Sequence, residues 1–359
     1  MKKIKRLLAL SISTVLLASS LAGCGSKPAP APATTDTKTE APADTASADG
    51  KKFVLIVKST GNPYNEKEAE GFKAAIEEAG AGEVILKAPA EPTAEAQIQM
   101  IEEAIAQKVT VIALAGNDPD ALQPVLKKAM DAGIKVLSLD SSVNAASRMV
   151  HVNQADPERL GRVQVQAISE MIGGKGQIAI LSATSQAANQ NIWIEWMKKE
   201  LEDPKYKDIE LVKVAYGDDL RDKSTSETEA LLKAYPDLKG IISPTTVGMA
   251  AAGKVLTDKG LSGKVVLTGL GLPSEMAEYI TNGVCPWMYL WNPIDVGYLG
   301  GTSAMALADG TITGKAGDKF TAGRLGEKTV ITAGDGTEIM LGDPFKFEPA
   351  NIEEWKSVY

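Results

Sequence analysis

Polar side chains recur in this sequence at one kind of place, directly after short apolar runs. Lys58-Ser59-Thr60-Gly61-Asn62 follows the run at 53–57, and Asp140-Ser141-Ser142 follows the run at 135–139. The segment 185–191 follows the run at 176–181, while Pro244-Thr245-Thr246 and Leu270-Gly271-Leu272-Pro273 follow two later ones. Where such runs are the strands of an open α/β sheet, ligands bind in the crevice at their carboxyl ends. Lysine, carboxamides and carboxylate supply both donors and acceptors there, and Tyr64, Trp193 and Trp291 supply flat apolar faces. That mixture suits a polyhydroxylated molecule, whose hydroxyls need both kinds of partner and whose ring face needs an aromatic one.

Taken singly, these residues have plainer readings. Lys58 reads equally as a solvated strand-end lysine, Asp140 as a loop cap and Asn189 as a helix N-cap. Trp193, at helical spacing with Met197, reads as core. Convergence at several strand ends is what favours a cleft. Catalysis is poorly served. There is no Gly-x-Ser-x-Gly elbow and no Cys-His pair, and the only histidine, His151, lies in an apolar run. Gly173-Gly174-Lys175-Gly176 lacks the spacing of a phosphate loop and reads as a helix-ending turn. One histidine excludes a multi-histidine metal centre, and no cofactor is expected.

The elements that must position these residues are legible as a rhythm. The run at 53–57 is apolar throughout, as in a strand buried on both faces. A helix is expected at 63–79 with Gly80 as its stop, a strand at 84–86, and a helix capped by Thr93 with Ile98, Ile101 and Ile105 along one face. Strand, helix and strand follow at 111–114, 120–132 and 135–139, and a further strand at 148–152. The same alternation then restarts and continues to 268. Successive β-α units imply right-handed crossovers and a parallel sheet, and two such half-chains imply two similar lobes. After a helix at about 293–308 the pattern is less regular, with short apolar segments at 330–331 and 339–341.

The beginning of the chain has a different character. Lys2, Lys3, Lys5 and Arg6 precede an apolar stretch at 7–20, and Leu21-Ala22-Gly23-Cys24 follows. The stretch is too short for a permanent span, so 1–23 reads as a cleaved export signal with Cys24 as the site of lipidation. The expected location is therefore extracytoplasmic, on the outer face of the cytoplasmic membrane. Residues 24–50, rich in Ala, Pro, Thr, Asp and Ser, read as a disordered tether of roughly 25–30 Å. The formal net charge is −8 before any processing, and removing the basic head makes it more negative, which argues against nucleic acid as a partner. Without Cys24 the only cysteine is Cys285, so no internal disulfide forms and a buried, inert thiol is expected.

Several motifs together resemble a known family. Glu91-Pro92-Thr93 with Gln97, Asn117 to Leu122, Ala132 to Val136 ahead of Leu139-Asp140-Ser141, and Gly269 to Met276 look like the type I solute-binding proteins of ABC importers, in the ribose-binding-like superfamily. Within it the chain is similar to the branch holding autoinducer-2 receptors and rhamnose-binding proteins. The resemblance implies an α/β fold of two doubly wound parallel-sheet lobes joined by a three-segment hinge. The expected lobes are 51–153 with 293–325, and 154–292 with 326–359. The six contact positions of the autoinducer-2 receptors fall on Lys58, Asp140, Asn189, Gln190, Pro244 and Thr246. Asn189 and Thr246 depart from the aspartate and alanine of the family. Tyr64 and Trp291 complete the expected site.

In that implied site Asp140 accepts ligand hydroxyl protons, Lys58 and Gln190 donate, and Asn189 does either. Pro244 and Thr246 line the opposite wall. The expectation is a monomeric, non-enzymatic lipoprotein that captures autoinducer-2, in its hydrated cyclic furanose form, for ABC permease subunits. Rhamnose or another deoxysugar or pentose is the alternative ligand, and a receptor feeding a sensor kinase is the further one.

Overall fold

A computed structural model describes residues 50–359; the export signal, Cys24 and all but the last residue of the expected tether lie outside the described residues. The first lobe is laid down as β1 (Lys52–Ile56), α1 (Pro63–Ala79), β2 (Glu83–Lys87), α2 (Ala94–Ala106), β3 (Val111–Leu114), α3 (Pro119–Asp131), β4 (Lys135–Leu139) and β5 (Val150–Asn153). Then come α4 (Pro157–Met171), β6 (Gly176–Ser182), α5 (Ala188–Leu201), β7 (Ile209–Tyr216), α6 (Arg221–Ala234), β8 (Leu238–Ser243), α7 (Thr246–Asp258), β9 (Val266–Gly269), α8 (Pro273–Thr281) and β10 (Met288–Leu290). The chain closes with α9 (Pro293–Ala308), β11 (Lys319–Thr321), β12 (Glu327–Thr329), β13 (Ile331–Ala333), β14 (Gly336–Met340), β15 (Phe345–Phe347) and α10 (Ile352–Trp355).

Two separate large sheets result, one per lobe. The first has the order β13-β14-β5-β4-β3-β1-β2, and the second the order β7-β6-β8-β9. Every pairing within them is parallel except the β13–β14 hairpin. Strands such as β3 and β5 are buried along their whole length because helices cover both sheet faces. Local chemistry sets the helix that leads into the cleft. Asn62 accepts from the backbone N–H of Tyr64, Pro63 opens α1, and Gly80 ends it in the left-handed region at φ 57°.

The pairing corrects one expected boundary. The segment 326–359 is expected in the second lobe, yet β14 pairs in parallel with β5 in the first sheet, with Glu338 opposite His151. Only β15, antiparallel to β10, and α10, which packs on α8, lie with the second lobe. The physical reason is that β5 would otherwise present an edge of unpaired backbone groups, and the returning chain covers it. The chain therefore crosses between the lobes after β5, after β10 and after β14.

Helices α1 and α9 approach until their backbones touch. A methyl group built on Gly71 would lie 1.9 Å from the Ile294 carbonyl oxygen, and one on Gly297 would lie 1.8 Å from that of Glu68. This contact fastens the helix carrying Tyr64 to the helix that follows Trp291. No side chain fits there. Gly297→Ala should therefore cost about 3 kcal/mol or more, since the obstacle is backbone and not a movable side chain. Thermal denaturation checks this; an unchanged Tm would contradict the close approach.

Candidate ligand-binding cleft

Each polar cluster singled out in the sequence lies at the carboxyl end of a strand, and the two sheets turn those ends toward one another. Lys58 follows β1 and Asp140 follows β4. From the second lobe, Asn189, Gln190 and Trp193 come from the start of α5, and Pro244, Thr245 and Thr246 join β8 to α7. Trp291 stands in the crossing after β10. A cavity lies among them. All eight residues expected from the sequence line it: Lys58, Tyr64, Asp140, Asn189, Gln190, Pro244, Thr246 and Trp291.

Asp140 is the centre of the hydrogen bonding. It is 6% exposed, and its backbone adopts φ 56°, the left-handed region that costs a non-glycine residue roughly 1–2 kcal/mol. Its carboxylate accepts from Tyr64 Oη at 3.3 Å, Gln154 Nε2 at 3.4 Å and Asn189 Nδ2 at 3.5 Å. Tyr64 is itself held by Trp291, whose indole Nε1 donates to the phenol oxygen at 2.7 Å. Burial raises the Asp140 carboxyl above its usual range, and the Lys58 ammonium opposes that rise. Burial, then Asp140, then Glu68 push the Tyr64 phenol well up, so it stays a donor.

The two lobes meet through the same side chains. Lys58 Nζ donates to Asn189 Oδ1 at 3.2 Å, Ser141 Oγ donates to it at 3.4 Å, and Thr246 Oγ1 donates to Asn62 Oδ1 at 3.4 Å. Gln190 Oε1 is occupied by Ser182 Oγ at 2.7 Å and the Ala183 N–H at 2.8 Å, so its amide NH₂ is the group it can offer. Three rings form an apolar corner. Trp193 and Trp291 are 5.9 Å apart at 60°, and Tyr64 and Trp291 are 6.3 Å apart at 87°.

Asn65 and Asp219 also face the cavity and escaped the sequence reading; Asn62, Thr245 and Leu270, which face it too, lie in segments marked there without being assigned as contacts. Asp219 follows the β7 run as Asp140 follows β4, so the same polarity signal marked it, and it accepts from Thr245 Oγ1. Trp193 is both things weighed for it: 3% exposed within the core, and part of the cavity wall. Asn189 is not the N-cap of α5; Ala187 is. Glu68 was also missed. It lies below the site on the Tyr64-Glu68-Phe72 face of α1 and is fully buried, and among the described residues neither carboxyl oxygen has a hydrogen-bond partner. Burial, reinforced by Asp140 and opposed by Lys58, raises it well above the carboxylate range and favours the neutral acid. Beneath Lys58, Gln97 donates to the Val57 and Ala115 carbonyls and Asn117 to that of Lys58, which fixes the strand ends.

His151 and Cys285 take structural roles. The His151 ring pairs through Nδ1 with Ser138 Oγ at 2.9 Å across the β4–β5 ladder. Burial, with Arg148 nearby, lowers it to about 3. Burial pushes the Cys285 thiol up. The folded state thus binds one proton fewer than the unfolded chain between about pH 6.5 and 3, and stability is lost as pH falls through that window. Because this is the only histidine, one imidazole resonance reports it. Proton NMR should show that resonance unchanged from pH 8 to about 4.5; a midpoint near 6.5 would contradict its burial.

Known proteins resemble this chain in sequence and fold. A family model described as a periplasmic binding protein domain matches residues 53–312. An ABC transporter solute-binding protein from Clostridium phytofermentas, solved with bound L-rhamnose, is 52% identical with a TM-score of 0.84, over 86% of this chain and 99% of that one. LsrB from Clostridium saccharobutylicum in complex with AI-2 is 25% identical with a TM-score of 0.79, over 85% and 99%. Among curated proteins, the D-apiose import binding protein of Actinobacillus succinogenes is 26% identical across 55% of this chain, a match spanning 62% of that relative.

Proposed function

The chain belongs to the periplasmic binding protein domain family, and on that premise we propose that it is the sugar-binding component of an ABC importer, with L-rhamnose as the ligand to test first. The observation that supports this reading is the cavity between the lobes in which Lys58, Asp140, Asn189 and Gln190 face the Tyr64-Trp193-Trp291 corner. Asp140 accepts from ligand hydroxyls, Lys58 and the Gln190 amide donate, and the rings cover the apolar face and methyl group of a deoxysugar. The contacts that link Ser141 and Asp140 to Asn189 are long, at 3.4 and 3.5 Å, and ligand hydroxyls replace them at low cost. Ligand therefore bridges the lobes and favours their closed arrangement.

The order of ligands reverses the expectation drawn from the contact positions alone. Rhamnose comes first because the rhamnose-bound neighbour shares twice the identity of the AI-2-bound one. Autoinducer-2 remains the second reading, supported by Lys58, Asp140, Gln190 and Pro244. Asn189 adds donors where that family has an acceptor-only aspartate, and Thr246 adds a methyl and a hydroxyl where it has alanine. The ABC permease subunits are the proposed partners of the closed form. Cys24 is the proposed lipid anchor, holding the domain outside the cytoplasm through acyl chains.

Calorimetry with L-rhamnose and with autoinducer-2 distinguishes the two ligands, and tight binding of autoinducer-2 alone would overturn the first choice. Asp140→Asn keeps the shape and removes the charge, and it should weaken rhamnose binding by about 1.5–3 kcal/mol, roughly 10- to 150-fold. An Asp140→Asn protein that is folded by circular dichroism yet binds as the wild type would remove Asp140 from the site. Cys24→Ser should move the full-length protein from the membrane to the soluble fraction on cell fractionation; retention on the membrane would refute the anchor.

A further inference from the structure

A second space between the lobes adjoins the cavity. This groove, of about 860 Å³, is lined from the first lobe by Ser142, Asn144, Arg148 and Asn153 and from the second by Ala188 and Ile192. Asp140, Asn189 and Trp193 line both spaces, so the partition between them is only side-chain thick. Two of the hydrogen bonds that close it are among the longest of the site, Asn189 to Asp140 at 3.5 Å and Ser141 to Asn189 at 3.4 Å. Along the first turns of α5, Asn189 and Trp193 reach the cavity. Ala188 and Ile192, each one residue earlier and so rotated by about 100°, line only the groove. Ile192 is 43% exposed, one of the larger apolar side chains left in solvent.

The charged side chains of the groove, Arg148, Asp335 and Glu338, already have partners. The Arg148 guanidinium is buried and already committed, donating to the Val143 carbonyl at 3.0 Å and the Thr337 carbonyl at 2.8 Å, with Asp335 at 3.5 Å. Glu338 accepts from Asn153 at 3.0 Å. What remains is an apolar patch at Ala188, Ile192 and Val143 beside two acceptors: Ser142 Oγ, whose proton goes to the Val143 carbonyl at 3.1 Å, and Asn144 Oδ1, whose NH₂ is held by Pro119, Asp120 and Gln123. Such a surface accommodates a ring bearing hydroxyls better than an anion, which Asp335 and Glu338 would repel.

We propose that the groove is a second saccharide subsite, so that the protein takes a disaccharide with one ring in the cavity and the next against Ile192 and Ser142. This rests on the sugar-binding reading of the cavity. The glycosidic link passes the Asn189–Asp140 partition, where ligand oxygens substitute for the two long hydrogen bonds.

The test is calorimetry of the full domain with L-rhamnose and with an α-linked L-rhamnose disaccharide, on the wild type, Ile192→Ala and Ala188→Trp. The expected result is disaccharide affinity no weaker than that of rhamnose in the wild type. Ala188→Trp, which fills the groove, should weaken the disaccharide by about tenfold and Ile192→Ala by about threefold, while both leave rhamnose within about twofold. Rhamnose binding with a disaccharide at least tenfold weaker, or disaccharide binding that neither variant alters, would overturn the subsite and leave the cavity reading standing. No binding of either sugar by the wild type would overturn the sugar reading and the subsite with it.

Discussion

The organisation of this protein depends on one buried carboxylate. Asp140 sits between the lobes in a left-handed backbone conformation, with an ammonium, a phenol and two carboxamides around it. Taking a charge out of water is costly unless donors replace the lost hydration, and here they come from α1, from α5 and from the crossing after β5. The long distances of these bonds matter. A carboxylate already saturated by short bonds would have little to gain from a ligand, whereas one held by several long contacts can exchange them for hydroxyls on closure.

Rigidity around that centre comes from packing that leaves no room for adjustment. The backbones of α1 and α9 touch at Gly71 and Gly297, so Tyr64 and Trp291 are set on a common support although 227 positions separate them in the chain. Gln97 and Asn117 tie the ends of β1 and β3 together directly under Lys58. Glu68 beneath the site is the counterexample, a buried polar group whose oxygens find no partner among the described residues. Its neutral form limits the cost, and its negative form would repel Asp140. Among the described residues, the cavity wall therefore holds one cation and two carboxylates, Lys58 with Asp140 and Asp219, and a third acid is kept out of play below.

Much of this is legible in the amino-acid sequence. The apolar runs at 53–57 and 135–139 are strands, and the Lys58 and Asp140 that follow them line one cavity with Asn189, Gln190, Pro244 and Thr246. Each of these residues lies in a polar segment soon after a buried strand. Glu68 carries no such mark, because a glutamate on a helix reads as solvent-facing until another helix is laid over it. The hairpin at 331–340 is misplaced by pattern for a related reason. Its strands are three to five residues long and fit any open sheet edge equally well.

Local patterning by itself determined the alternation of strand and helix, the caps at Thr93 and Gly80, and which short segments would be polar at the rim of a sheet. Those features are decided by energies acting within a few residues: periodicity, turn geometry and the burial of apolar runs. Tertiary structure alone decided which edge β14 would cover, that Trp193 would serve core and cavity at once, and that Asp140 and Asn189 would meet across the lobes. Such outcomes are competitions between distant surfaces of similar local character, and only the assembled packing separates their energies.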